Sequence, residues 1–269
     1  MTPQELSRRL RAGDRVFGTL IVSPAPQWPA VVRSCGLDFV FIDTEHIALN
    51  RAELSWMCQT YSALGLPPIV RITSPSPYEV TVALDGGAAG VIAPYVESPE
   101  QARALRGAVK LRPSKGKKLE GMLGGDQIEP DLGSYIQTGA ERRLLVLNIE
   151  SRPAIEAPDD ILATPGLDAV LIGPHDLSCS VGVPEQWDHP TFLEACETIF
   201  RKARADGVGA GIHFWGEVEQ QTRFHRLGAN MIIHSADISL FQKHLKLELS
   251  EIKKSLGLDD TTDGTAPII

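Results

Sequence analysis

The sequence predicts a closed (β/α)8 barrel over residues 1–258. Three observations predict it: eight short apolar runs rich in Val, Ile and Leu, helix-period segments between them, and a length that houses eight strand–helix units in about 250 residues. A doubly wound open sheet is the competing architecture. No GxGxxG or Walker-type loop follows the first run, which counts against a dinucleotide or nucleotide site.

The elements follow in order. "MTPQELSRRLRAGDR" is polar and helix-like, without the apolar centre of a secretory signal. The first strand is "RVFGTLIV" (15–22) and the second "DFVFID" (38–43); the helix "NRAELSWMCQTYSALG" then opens on Asn and closes on Gly, as caps require. "PIVRI" (68–72) and "GVIAPYV" (90–96) are the third and fourth strands, with "SPEQARALRGAVK" as the next helix. Residues 111–142 break the pattern: a long connection with several glycines and a basic cluster of Arg112, Lys115, Lys117 and Lys118, of a length usually functional or mobile. The remaining strands are "RLLVLNIE" (143–150), "DAVLIG" (168–173), "VGAGIHF" (208–214) and "NMIIHS" (230–235), separated by "HPTFLEACETIFRKARADG" and "GEVEQQTRFHRLGA" among others. The tail, 259–269, is expected to be disordered.

Composition narrows the function classes. A net charge of −8 argues against a general nucleic-acid surface, and no apolar run approaches the roughly 20 residues that span a bilayer. A cytosolic location is expected. Cys35, Cys58, Cys179 and Cys196 lack CxxC spacing, so they read as reduced, mostly packed thiols, and zinc-finger and disulfide frameworks are excluded.

In such a barrel the chemistry gathers where the strands end. The second strand ends in Asp43, Glu45 and His46, the third carries Arg71, the fifth ends in Asn148 and Glu150, the sixth runs into His175 and Asp176, and the seventh ends in His213. Glu150 and Asp176 close consecutive strands, about 4.8 Å apart when paired, and two converging carboxylates repel unless a proton or cation lies between them. With only two hard oxygen ligands from the protein, Mg²⁺ or Mn²⁺ is the matching cation, and helix capping is the equally weighted alternative. Arg71 in a buried strand needs an anion; an ion pair with Asp43 or Glu45 supplies one as well as a ligand would. Asp85 in "ALDGGAAG" reads either as the acceptor that orients His46 or as a turn residue.

The series "DFVFIDTEH", "VRI", "ALDGGAAGVIAPYV", "NIES" and "IGPHDLS" resembles the HpcH/HpaI family of metal-dependent pyruvate aldolases, typified by 4-hydroxy-2-oxoheptanedioate aldolase, from about residue 15 to 240. The resemblance implies a barrel of the phosphoenolpyruvate/pyruvate-binding type, commonly hexameric. It further implies that Glu150 and Asp176 hold a divalent cation (Mg²⁺, Mn²⁺ or Co²⁺), that His46 is the base supported by Asp85, and that Arg71 stabilises an enolate. Asn148 and the amides around His175 and Asp176 would hold pyruvate, with an aldehyde as the second product. This chain departs from the family's usual first-strand aromatic and Arg-Gly-x-Gly turn. It also has His175 and Asn148 where Ala and Gln are usual. A citrate-lyase-like carbon–carbon lyase acting on a CoA ester and a non-catalytic oligomeric barrel are the alternatives. All nine lysines fall outside the predicted strands, which argues against a Schiff-base aldolase.

Overall fold

The computed structural model describes residues 1–258; the expected disordered tail lies outside the described residues. Along the chain run α1 (Pro3–Ala12), β1 (Val16–Ile21), α2 (Trp28–Arg33), β2 (Val40–Asp43), α3 (Arg51–Ala63), β3 (Pro68–Arg71), α4 (Pro77–Asp85) and β4 (Gly90–Ala93). Next come α5 (Pro99–Lys110), α6 (Gly116–Gly124), α7 (Pro130–Ala140), β5 (Leu144–Ile149), α8 (Arg152–Glu156), α9 (Pro158–Leu162) and β6 (Ala169–Ile172). The chain continues through α10 (Pro174–Ser180), α11 (Pro190–Ala205), β7 (Gly209–Phe214), α12 (Val218–Arg226), β8 (Met231–Ala236) and α13 (Asp237–Ser255). The eight strands are parallel and close in sequence order, β1 pairing with β8, so the protein is a (β/α)8 barrel.

Strand alternation sorts the side chains into two cores. Phe39, Phe41, Ile69, Val146, Leu171, Met231 and Ile233 point inward and fill the barrel, and Leu6 and Leu10 of α1 join that cluster at its N-terminal end. Val40, Ile42, Val70, Leu145, Leu147, Ile149, Val170 and Ile212 point outward and pack under the helices. A period of two therefore sends Phe41 and Asp43, Ile69 and Arg71, or Val146 and Asn148 to the same interior face. Toward the C-terminal end of the strands the inward residues change from apolar to charged.

Residues 111–142 are largely helical. They form α6 and α7, with a small core of Leu111, Met122 and Ile136. Because the insertion joins the end of α5 to the start of β5, it sits at the N-terminal end of the barrel. Of the four cysteines, Cys58 and Cys196 are buried, Cys35 and Cys179 are exposed, and all are free thiols. No helix among the described residues is long and apolar enough to cross a membrane.

Candidate active site

β2 and β3 are in register at Asp43 and Arg71, which aligns a carboxylate with a guanidinium on the inner face. Arg71 donates from Nε to Asp43 Oδ1 at 2.9 Å and from Nη2 to Oδ2 at 2.5 Å, and its Nε lies 3.2 Å from Glu45 Oε2. Burial alone would raise the Asp43 carboxyl. The hydrogen bonds and charge of Arg71 outweigh it and hold the group below its ordinary value. An ion pair thus satisfies part of the Arg71 guanidinium. Its Nη1, however, has no protein acceptor among the described residues and remains available to a ligand.

Glu150 follows β5 and is 2% exposed. Its Oε1 accepts from the Tyr95 amide at 2.7 Å and its Oε2 from Asn148 Nδ2 at 2.9 Å. A Cβ on Gly173 would stand 2.2 Å from Oε2, so the glycine of "IGPHD" makes room for the carboxylate. Burial pushes the Glu150 carboxyl up to about 7, with the Asp176 charge adding to the rise and the Tyr95 amide, Arg71 and Asn148 opposing it. Asp176, in the first turn of α10, accepts from the Tyr95 hydroxyl at 3.0 Å. Burial likewise raises the Glu45 carboxyl; Arg71 opposes the rise, and the charges of Asp43 and Asp176 add to it.

The remaining predicted residues divide. His46 stands at the rim, 56% exposed, with Nε2 3.7 Å from Glu45 Oε2. Asn148 is fully buried against Glu150, and its Oδ1 has no hydrogen-bond partner. The His175 side chain turns outward to Glu185 at 3.3 Å. Asp85 does not meet His46 within one chain. It ends α4, five residues before β4 begins, so it lies at the N-terminal end of the barrel, where it pairs with Arg112. The basic insertion lies at that same end, and Lys118 pairs there with Glu129. His213, at the end of β7, donates from Nε2 to the Ser235 carbonyl at 3.1 Å, and burial pushes it down to about 4.

Sequence reasoning missed Tyr95, which touches both Glu150 and Asp176. The run "GVIAPYV" reads as continuous strand, whereas β4 stops at Ala93 and the chain turns at Tyr95 with φ 49°. The run itself carries no signal for that turn.

The donor set fits a divalent cation. A buried carboxylate with a second beside it supplies hard oxygen, and Asn148, which holds Glu150 through Nδ2, carries a buried Oδ1 that has no hydrogen-bond partner. No cluster of three or more His, Cys, Asp or Glu suited to a metal occurs among the described residues, so a cation here would be held by the two carboxylates together with water or substrate.

Comparison with known proteins places the chain among aldolases. The chain is 30% identical over 203 residues to a hydroxypyruvate/pyruvate aldolase of Sagittula stellata, covering 76% of this chain and 80% of that protein. It is 28% identical over 244 residues to a 2-keto-3-deoxy-L-rhamnonate aldolase of Salmonella gallinarum, covering 91% of each. The crystal structure of an HpcH/HpaI aldolase from Desulfitobacterium hafniense superposes with a TM-score of 0.80 at 27% identity, covering 97% of this chain and 99% of that one. Residues 22–243 match the family model, and the chain accordingly belongs to the HpcH/HpaI aldolase/citrate lyase family and is a carbon–carbon lyase.

Proposed function

We propose that the protein cleaves, or forms, 4-hydroxy-2-oxo acids, with pyruvate and an aldehyde on the other side of the reaction. The observation that carries this reading is the buried Glu150, set beside Asp176 and Arg71 at the mouth of the barrel. Glu150 and Asp176 would hold Mg²⁺, Mn²⁺ or Co²⁺, which when bound supplies Lewis acidity at the 2-oxo group. Arg71, clamped by Asp43 and Glu45, presents Nη1 toward the oxygen on which enolate charge develops when the C3–C4 bond breaks. His46 takes the 4-hydroxyl proton, work suited to an imidazole. Asn148 holds Glu150 in place, and the uncapped first turn of α10, at His175 and Asp176, offers amides to the pyruvate carboxylate.

Two relatives carry names of different acids, so the proposal covers the class of 4-hydroxy-2-oxo acids and not one member of it. The family's description also spans citrate lyases, and turnover of an acyl-CoA ester is the observation that would favour that second reading. A reducible imine has no suitable lysine. The one buried among the described residues, Lys110, is pinned by Asp168 at 2.7 Å and lies at the opposite end of the barrel.

The test is chelation followed by repletion. Excess chelator should remove activity and Mg²⁺, Mn²⁺ or Co²⁺ restore it, while borohydride with pyruvate leaves every lysine unmodified. His46→Ala should lower turnover by about 10²–10⁴-fold with metal uptake intact. Full activity in chelator, or a trapped pyruvyl-lysine, overturns the reading.

A further inference from the structure

We infer that Tyr95 is a positioning residue that fixes Glu150 and Asp176 relative to each other, an assignment that rests on those carboxylates being the cation's ligands. Its backbone amide donates to Glu150 Oε1 at 2.7 Å and its phenol to Asp176 Oδ1 at 3.0 Å. Tyr95 follows β4, Glu150 follows β5 and Asp176 follows β6, so one residue ties together the ends of three consecutive strands.

The backbone shows what this arrangement costs. Tyr95 has φ 49°, a left-handed conformation that disfavours a bulky side chain, and only Glu185 and Ser235 share it among described non-glycine residues. Burial does not offset the strain, because the residue is 44% exposed. Glycine would take this conformation without strain and keep the amide that bonds Glu150. It would lose the phenol. The tyrosine therefore adds one thing a glycine lacks: a donor placed on Asp176.

Groups that hydrogen-bond to a metal ligand set its orientation, and their removal typically weakens metal binding by about 10–100-fold. A phenol on Oδ1 fixes the carboxylate plane of Asp176 and leaves Oδ2 free of it. The amide and Asn148 do the same for Glu150 from its two sides.

The experiment is titration of the metal-stripped full-length protein with Mn²⁺, following free Mn²⁺ by electron paramagnetic resonance, alongside thermal melting without metal. Tyr95→Phe should weaken Mn²⁺ binding by about 10–100-fold. Tyr95→Gly should weaken it as much or more while raising Tm, because strain is relieved. A purely structural tyrosine would give the reverse split, a lower Tm with unchanged metal binding. Wild-type affinity in Tyr95→Phe, or a lower Tm in Tyr95→Gly, overturns the assignment and leaves the carboxylate pair standing. A wild-type chain that takes up no Mn²⁺ overturns both.

Discussion

At the scale of single residues, the Asp43–Arg71 pair shows how a stability device and a proposed catalytic group share atoms. Both side chains are largely buried, so removing one leaves the other charge without its counter-ion. Asp43→Asn should cost about 3 kcal/mol, at the low end for a broken buried pair, because Glu45 remains 3.2 Å from the guanidinium. Chemical denaturation measures it. The pH dependence has a definite sign: the folded Asp43 carboxyl lies below its ordinary value of 3.8, so its contribution is full above that value and lost as pH falls through the folded one. Asp43→Asn should flatten that acid limb. Most of this pole was legible from sequence, because in a closed barrel any charge just past an apolar strand is carried to the same mouth. Asp85 lies at the other pole for the complementary reason. A residue five positions before a strand must lie at the N-terminal end, so within one chain it does not meet His46.

At the scale of elements, the strands were the legible part and the insertion was not. Parallel strands buried on both faces read as continuous apolar runs, and seven observed strands fall within the predicted spans, with β8 running one residue past its own. The predicted fourth strand runs three residues past β4 because nothing in "APYV" announces the left-handed Tyr95. Residues 111–142 read as loop because Gly116, Gly121, Gly124 and Pro130 interrupt the helical pattern. Tertiary contact overrides that signal, with Leu111, Met122 and Ile136 giving α6 and α7 a core of their own. Such a satellite should open independently of the barrel. Met122→Ala should destabilise it by about 2 kcal/mol and speed amide hydrogen exchange across residues 116–140, with β1–β8 unchanged. Faster exchange in the strands as well would mean the insertion folds as one unit with the barrel.

At the scale of the whole molecule, two features bear on self-association. α13 runs for 19 residues with only Asp237 buried, and Leu240, Phe241, Leu245, Leu249 and Ile252 are exposed along it. Asp237 anchors its start by accepting from the amides of Val22 and Ser23, each at 3.0 Å, so the helix is held at its root with its apolar residues unpaired. We propose that self-association covers them, in which case Phe241→Asp should shift the mass measured by light scattering toward the monomer. The second observation is the separation of His46 and Asp85 at opposite poles. If Asp85 supports His46, as the family resemblance implies, it does so on another copy of the chain. Complementation decides this: His46→Ala and Asp85→Asn are each purified, each expected to be weak, then mixed and allowed to exchange subunits. A shared site regains activity, because the Asp85→Asn chain brings an intact His46 and the His46→Ala chain an intact Asp85. Activity that stays at the average of the two variants confines Asp85 to its pairing with Arg112, where its loss, at an exposed bond, should cost at most about 1 kcal/mol.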